Sequence, residues 1–189
     1  MSCRIHQIQQ SNLANLTTGT QTAKLTTLAG ARKDYFGDVV AISGNTIIAS
    51  SYNATVGIHA SQGAVYVFVE PADGWENATQ TAKLIASDGK ANDNFGIGLT
   101  ITGNTVLVGA PFATIGSNAQ QGTVYEYLKP ASGWKNTSKF NSKFTASDGS
   151  ASAAFGFSVS VSGSTFVAGA DQQTAGSNPY QGEAHVFGP

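Results

Sequence analysis

A chain of 189 residues and 19.4 kDa holds one core or one short repeat array and leaves no room for a second full-sized domain. Charged residues make up 11%, against roughly 25% in an average soluble domain, so 22 Gly, 19 Ser and 19 Thr supply a small-polar surface of the kind found on extracellular β-proteins. Ten Lys+Arg against eleven Asp+Glu give a net charge of -1, so there is no basic surplus to neutralise a phosphate backbone or an anionic membrane, and nucleic acid is not an expected partner.

In chain order, residues 1–21 read as a polar N-terminal extension, expected to be poorly ordered. They carry the single cysteine, Cys3, which excludes an intrachain disulfide and a multi-cysteine metal site. No signal-peptide-like apolar stretch is present there, and no window of about 18 apolar residues occurs anywhere, so membrane insertion is not expected. An extracellular or cell-surface location would rest on composition, or on a leader encoded upstream of this sequence.

From Thr22 onward the chain repeats itself. Phe36-Gly37, Phe95-Gly96 and Phe155-Gly156 are spaced 59 and 60 residues apart, and the same register carries Gly44, Gly103 and Gly163, then Gly63, Gly122 and Gly182. Lys24, Lys83 and Lys143 align, as do Phe68, Tyr127 and Phe187, while Trp75 pairs with Trp134. Runs of β-branched and aromatic residues between Gly, Asn, Pro and Ser punctuation predict four short strands per unit. In the second unit these are Phe95 to Thr102, Thr105 to Gly109 across a Gly103-Asn104 hairpin, and Thr123 to Leu128, with an outer strand like Thr81 to Ala86. The units span 34–86, 93–146 and 153–187, preceded by a lone outer strand, 22–26, that would complete a blade. No apolar period of 3.6 persists over ten residues, so the fold class is all-β, and four antiparallel strands per 60 residues is the signature of β-propeller blades.

Asp93-Asn94-Phe95-Gly96, followed by Gly103-Asn104-Thr105-Val106-Leu107-Val108-Gly109-Ala110-Pro111, resembles the FG-GAP repeat of integrin-alpha-like β-propellers. The bacterial variety is most similar, with its Gly-Trp turn, Ala-Lys-Leu strand and Ser-Asp-Gly loop, here Gly74-Trp75, Ala82-Lys83-Leu84 and Ser87-Asp88-Gly89. The resemblance runs from about Thr22 to Phe187, although Gly-Ala-Pro itself is intact only in the second unit. It implies a propeller that serves adhesion or protein binding, often with calcium between the first and second strands. Those connectors, Ser43-Gly44-Asn45, Thr102-Gly103-Asn104 and Ser162-Gly163-Ser164, contain no carboxylate, whereas a hard cation needs six to eight oxygens. The alternative metal candidates are Asp88 and Asp93, beside Asn92 and Asn94, but the same residues suit a turn in which a carboxylate accepts backbone N–H groups. No metal or other cofactor is expected.

No nucleophile, zinc or phosphate-loop motif is present, and His6, His59 and His185 fall at unrelated repeat positions, so the chain does not read as an enzyme. His185 stands where Tyr66 and Tyr125 do and reads as a partly buried strand residue. Trp75 and Trp134 recur at one turn and read as packing anchors for the outer strands rather than as a sugar platform. Glycosylation sequons lie at Asn15, Asn53, Asn77 and Asn136.

The expected function is a non-enzymatic recognition or adhesion scaffold whose long loops, Ser51 to Gln62, Ala110 to Gln121 and Ala170 to Gln181, present a ligand-binding face. Tyr52, His59, Phe112, Asp171 and Tyr180 are the candidate ligand-binding residues, the ligand being a protein or a glycan. The alternatives are a propeller lectin and an accessory part of a larger secreted protein or enzyme. Three blades fall short of the four to eight that close a propeller, so the chain is expected either to form a homodimeric six-bladed ring or to be a fragment of a longer propeller.

Overall fold

The structure is a computed structural model and describes residues 19–189. Most of the 1–21 extension therefore lies outside the described residues, as do Cys3, His6 and the sequon at Asn15. No helix occurs among the described residues. A two-residue strand, β1 (Leu25–Thr26), precedes the first unit, which contributes β2 (Val40–Ser43), β3 (Thr46–Ser51), β4 (Ala64–Val69), β5 (Ala78–Thr79) and β6 (Ala82–Leu84). The second unit supplies β7 (Gly98–Thr102), β8 (Thr105–Ala110), β9 (Thr123–Leu128) and β10 (Ser142–Phe144), and the third β11 (Phe155–Ser162), β12 (Thr165–Ala170) and β13 (Glu183–Phe187).

Each unit folds into one antiparallel meander: β2-β3-β4-β6, β7-β8-β9-β10, and the three-stranded β11-β12-β13. Gly44, Gly103 and Gly163 take φ of 55°, 53° and 57° at the first of two hairpin residues, while the second stays at negative φ, the II′ arrangement that suits strand twist. β8 and β9 are buried on both faces because sheets cover them from either side, and β3 and β4 because the second sheet covers one face and Leu25, Phe36 and Trp75 pack on the other, which is why their sequences run apolar rather than alternate.

The first strand of the second unit begins at Gly98, three residues later than the sequence predicts. Asn94 (φ 54°) and Gly96 (φ 111°) bend the chain there, and the Phe95 N–H donates to Gln62 O of the preceding unit instead of to its own sheet. The bend drives Phe95 between units: it is fully buried and meets Tyr125 and Tyr127 of its own sheet at 5.6 and 6.0 Å. Phe155 sits likewise against His185 and Phe187, and Phe36 against Tyr66 and Phe68. Gly63 and Gly122 (φ 91° and 87°) make the approach possible, since a Cβ at either would run into the carbonyl of Phe95 or Phe155. The FG and GAP segments are also hydrogen-bonded, Gly96 N–H donating to Gly109 O at 2.8 Å.

One expectation is corrected. Within the chain, the lone outer strand at 22–26 does not complete the third sheet; β1 pairs in parallel with β5, Leu25 opposite Ala78. The cause is a junction between successive units that repeats along the chain. Leu84 of β6 forms the same parallel bridge to Thr137, and Lys24 and Lys83 each donate a backbone N–H to an Asn side chain, Asn77 at 2.7 Å and Asn136 at 2.8 Å.

Phe36 is only half-buried because no sheet covers its outer side, whereas Phe95 has a sheet on each side. Chemical denaturation should therefore show Phe95→Ala costing about 3–5 kcal/mol and Phe36→Ala no more than about half of that. Equal losses would contradict the wedge geometry.

Candidate functional site on the loop face

In every sheet the loop from second to third strand and the connector entering the first strand emerge at the same end, as the antiparallel order requires. Each long loop contains a tight turn closed by two backbone bonds: Val56 with His59, Ile115 with Asn118, and Ala175 with Asn178. Its last residues are tied to the connector of the following unit. Asn92, Asn94 and Phe95 N–H groups donate to Ala60, Ser61 and Gln62 carbonyls, and Ser152, Ala154 and Phe155 repeat this on Ala119, Gln120 and Gln121. Buried Gln62 and Gln121 add amide bonds to Ala86 O and Ala146 O.

Three non-glycine positions per unit sit in the left-handed region: Lys33, Asn92 and Ser152; Tyr35, Asn94 and Ala154; Ser61, Gln120 and Tyr180. Such residues cost on the order of 1 kcal/mol or more each, and their recurrence in all three units assigns the strain to the loop frame, which the bonds just named hold at the two junctions between units.

On this frame the five sequence-predicted residues fall into three separate loops. Tyr52 is half-buried and stacks on exposed Tyr35, with ring centroids 5.6 Å apart and planes 9° apart. His59 is half-buried at the loop tip beside Ile58, which is 92% exposed, and lines a groove of ≈ 240 Å³ with Gln62, Ile85 and Ser138. That groove includes none of the other four. Phe112 is half-buried in the second loop, while Asp171 and Tyr180 are exposed at opposite ends of the third. Sequence reading missed Tyr35, because Asn94 and Ala154 at its repeat positions give no aromatic signal.

The two metal candidates are committed elsewhere. Asp88 Oδ2 lies 2.6 Å from Lys143 Nζ, and Asp88 Oδ1 accepts the Tyr125 hydroxyl at 3.0 Å. Partial burial would raise the Asp88 carboxyl, but these hydrogen bonds and the Lys143 charge hold it below the usual carboxylate value. Asp93 Oδ2 accepts the Lys90 N–H at 2.7 Å, closing the turn, and burial raises its carboxyl. Burial, followed by the Asp88 charge, pushes the Tyr125 phenol far above its ordinary value. Of the sequons, Asn53 uses its acceptor nitrogen to donate to Lys33 O, whereas Asn77 and Asn136 engage only Oδ1 in the bonds from Lys24 and Lys83.

Two features of the third unit escaped the sequence reading. Asp148 and Glu183 flank His185, with carboxylate oxygens 3.9 Å from Nδ1 and 3.7 Å from Nε2, and the three ligand-type atoms gather within 4.8 Å of one another. His185 is part-buried over Phe155 as its alignment with Tyr66 and Tyr125 predicts, but Asp148 and Glu183 are 35 residues apart in sequence and only the fold joins them. Toward the hairpin end, Phe144, Val161, Phe166, Phe187 and Gly188 line an open cavity of ≈ 550 Å³. The equivalent core one unit earlier, Leu84, Ile101, Val106 and Tyr127, includes Trp134, so the Gly-Trp turn serves packing there.

A family model described as FG-GAP repeat matches the chain three times, over residues 20–68, 78–127 and 139–187. No curated protein matches the sequence.

Asp88 is held below its unfolded value, so the stability it lends is present at neutral pH and is lost as pH falls below about 4. Its pair is partly exposed and worth at most about 1 kcal/mol. Asp88→Asn should accordingly lower the melting temperature by up to about 3 °C at pH 7 and by nothing near pH 2. EDTA should leave the wild-type melting temperature unchanged, and a shift of several degrees on adding Ca²⁺ would show that Asp88 and Asp93 hold an ion instead.

Proposed function

Because the chain belongs to the FG-GAP repeat family, we propose that it is a non-enzymatic β-propeller-type recognition scaffold, working outside the cell, whose ligand is bound on the loop face. The supporting observation is the division between constant frame and variable tip. The turns Val56-Gly57-Ile58-His59, Ile115-Gly116-Ser117-Asn118 and Ala175-Gly176-Ser177-Asn178 share backbone bonds and a glycine at φ 59–60°, and the second and third also share a Ser-Asn tip, from which the first departs with Ile58 and His59. A rigid frame with interchangeable tips is what a binding surface requires, since ordering costs are met before the ligand arrives.

The first unit carries the most apolar tip, Ile58 and His59, together with the Tyr35–Tyr52 stack, so it is the centre of the proposed site. A protein ligand fits the exposed Ile58 best, because an isolated aliphatic anchor contributes by desolvation. A glycan is the second reading, favoured by the exposed face of Tyr35, which can stack on a sugar ring.

The test compares wild type with Ile58→Ser/His59→Asn, which gives the first loop the tip of the second and third, and with Tyr35→Ala. Peptides selected on immobilised wild type should lose at least about tenfold in affinity on the double tip variant. A glycan array should show discrete hits lost with Tyr35→Ala if the second reading holds. Selected ligands that bind all variants equally would remove the loop face from consideration.

A further inference from the structure

We propose that the open edge of the third unit is an interaction surface for a second copy of this chain, whose Thr22–Thr26 segment supplies the missing fourth strand and whose Lys24 enters the Asp148–Glu183–His185 cluster. The proposal goes beyond the loop-face reading and does not depend on it.

Three observations converge on this occupant. The first is strand pairing. β6 uses both of its edges, one antiparallel to β4 with Lys83 opposite Tyr66, the other in the parallel bridge from Leu84 to Thr137. Ala23-Lys24-Leu25, leading into β1, repeats the Ala-Lys-Leu sequence of β6, but β1 pairs only through its parallel side, on β5. β13 in turn pairs only with β12, and its free edge lies where β6 and β10 lie in the other units. The repeat register places Lys24 opposite His185 and Leu25 opposite Ala184.

The second observation is charge. Lys143 sits 5.1 Å over the Tyr125 ring and 2.6 Å from Asp88, and Lys83 sits 5.6 Å over Tyr66. At the third such place, Asp148 stands for Asp88 and His185 for the tyrosine, Glu183 adds a second carboxylate, and no lysine is present. The His185 Nε2 atom is buried without a hydrogen-bond partner. The Lys24 ammonium, meanwhile, has no partner among the described residues.

The third is the pair of uncovered faces at the two ends of the array. Leu99 and Ile101, covered by the preceding unit, are each 7% exposed, whereas their counterparts Val40 and Ile42 are 62% and 63% exposed. Ile48 and Val67, covered by the following unit, are fully buried, whereas Val167 and Val186 are 36% and 72% exposed. Inside the chain these two kinds of face pack on each other in a single core, so the free pair is complementary by repetition. Contact of one chain's trailing face with another's leading face is head-to-tail, and two copies bring the count to six blades, within the four to eight that close.

Light scattering on the 189-residue chain at tens of micromolar should give a dimer at twice 19.4 kDa. Lys24→Glu should raise the dimer dissociation constant by at least about tenfold, with the circular dichroism spectrum unchanged because Lys24 is exposed, and adding Glu183→Lys to it should restore association. In a Cys3→Ser background, Leu25→Cys with Ala184→Cys should give a disulfide-linked dimer on a non-reducing gel. A folded monomer at 19.4 kDa throughout this range overturns the proposal, as does a dimer indifferent to Lys24→Glu that fails to cross-link. Loop-tip variants should leave the dimer intact, so a failed ring and a failed loop site are separately visible.

Discussion

The architecture depends on one contact, the insertion of a phenylalanine, Phe95 or Phe155, between its own unit's third strand and the unit before it. Phe95 can be fully buried only because Asn94 and Gly96 adopt positive φ around it and because Gly63 presents bare backbone to its carbonyl. These requirements involve two different segments, and both recur 59 or 60 residues on. The periodic sequence is therefore a record of a periodic interface more than of periodic strands. Strands alone would tolerate Ala or Ser where Gly63 and Gly122 stand; close approach of two backbones does not.

This explains what could be read from the sequence. The strands were legible because β-branched runs and Gly-Asn hairpins are local signals, and β9 starts and ends where they place it. The fate of Thr22–Thr26 was not, because its pairing with Ala78–Thr79 depends on a neighbour more than fifty residues away that carries no strand signal of its own. The site shows the same split. His185 was readable as a tyrosine substitute from alignment of the units, but of its two carboxylate neighbours only Glu183 shares its strand, while Asp148 arrives from the connector between the second and third units. Asp88 and Asp93 looked alike as oxygen donors in sequence, and only the fold reveals that one is bound to a lysine on the outer strand of the second unit and the other to its own turn.

The loop face follows from the same interface. Because each long loop is bonded to the connector that leads into the next wedge phenylalanine, the frame of the loop is part of the junction between units. The tip residues lie beyond the last of these bonds. Change at Ile58 or His59 is thereby decoupled from the core, whereas change at Gln62, three or four residues away, would disturb the amide bond to Ala86 O and the packing beneath it.

The parallel bridges between one unit's outer strand and the next unit's Asn-containing segment have a mechanical consequence. Packed side chains can slide or loosen by degrees, but Leu84–Thr137 fixes the first unit to the second, and Leu25–Ala78 the leading strand to the first unit, by backbone bonds and by the Asn136 and Asn77 clasps. The first two units are thus coupled at the rim as well as at the wedge, and in a linear array with nearest-neighbour coupling the middle unit gains from both sides. Amide exchange protection should accordingly fall off from the second unit toward either end, so that the array frays inward from its termini instead of breaking at an internal seam.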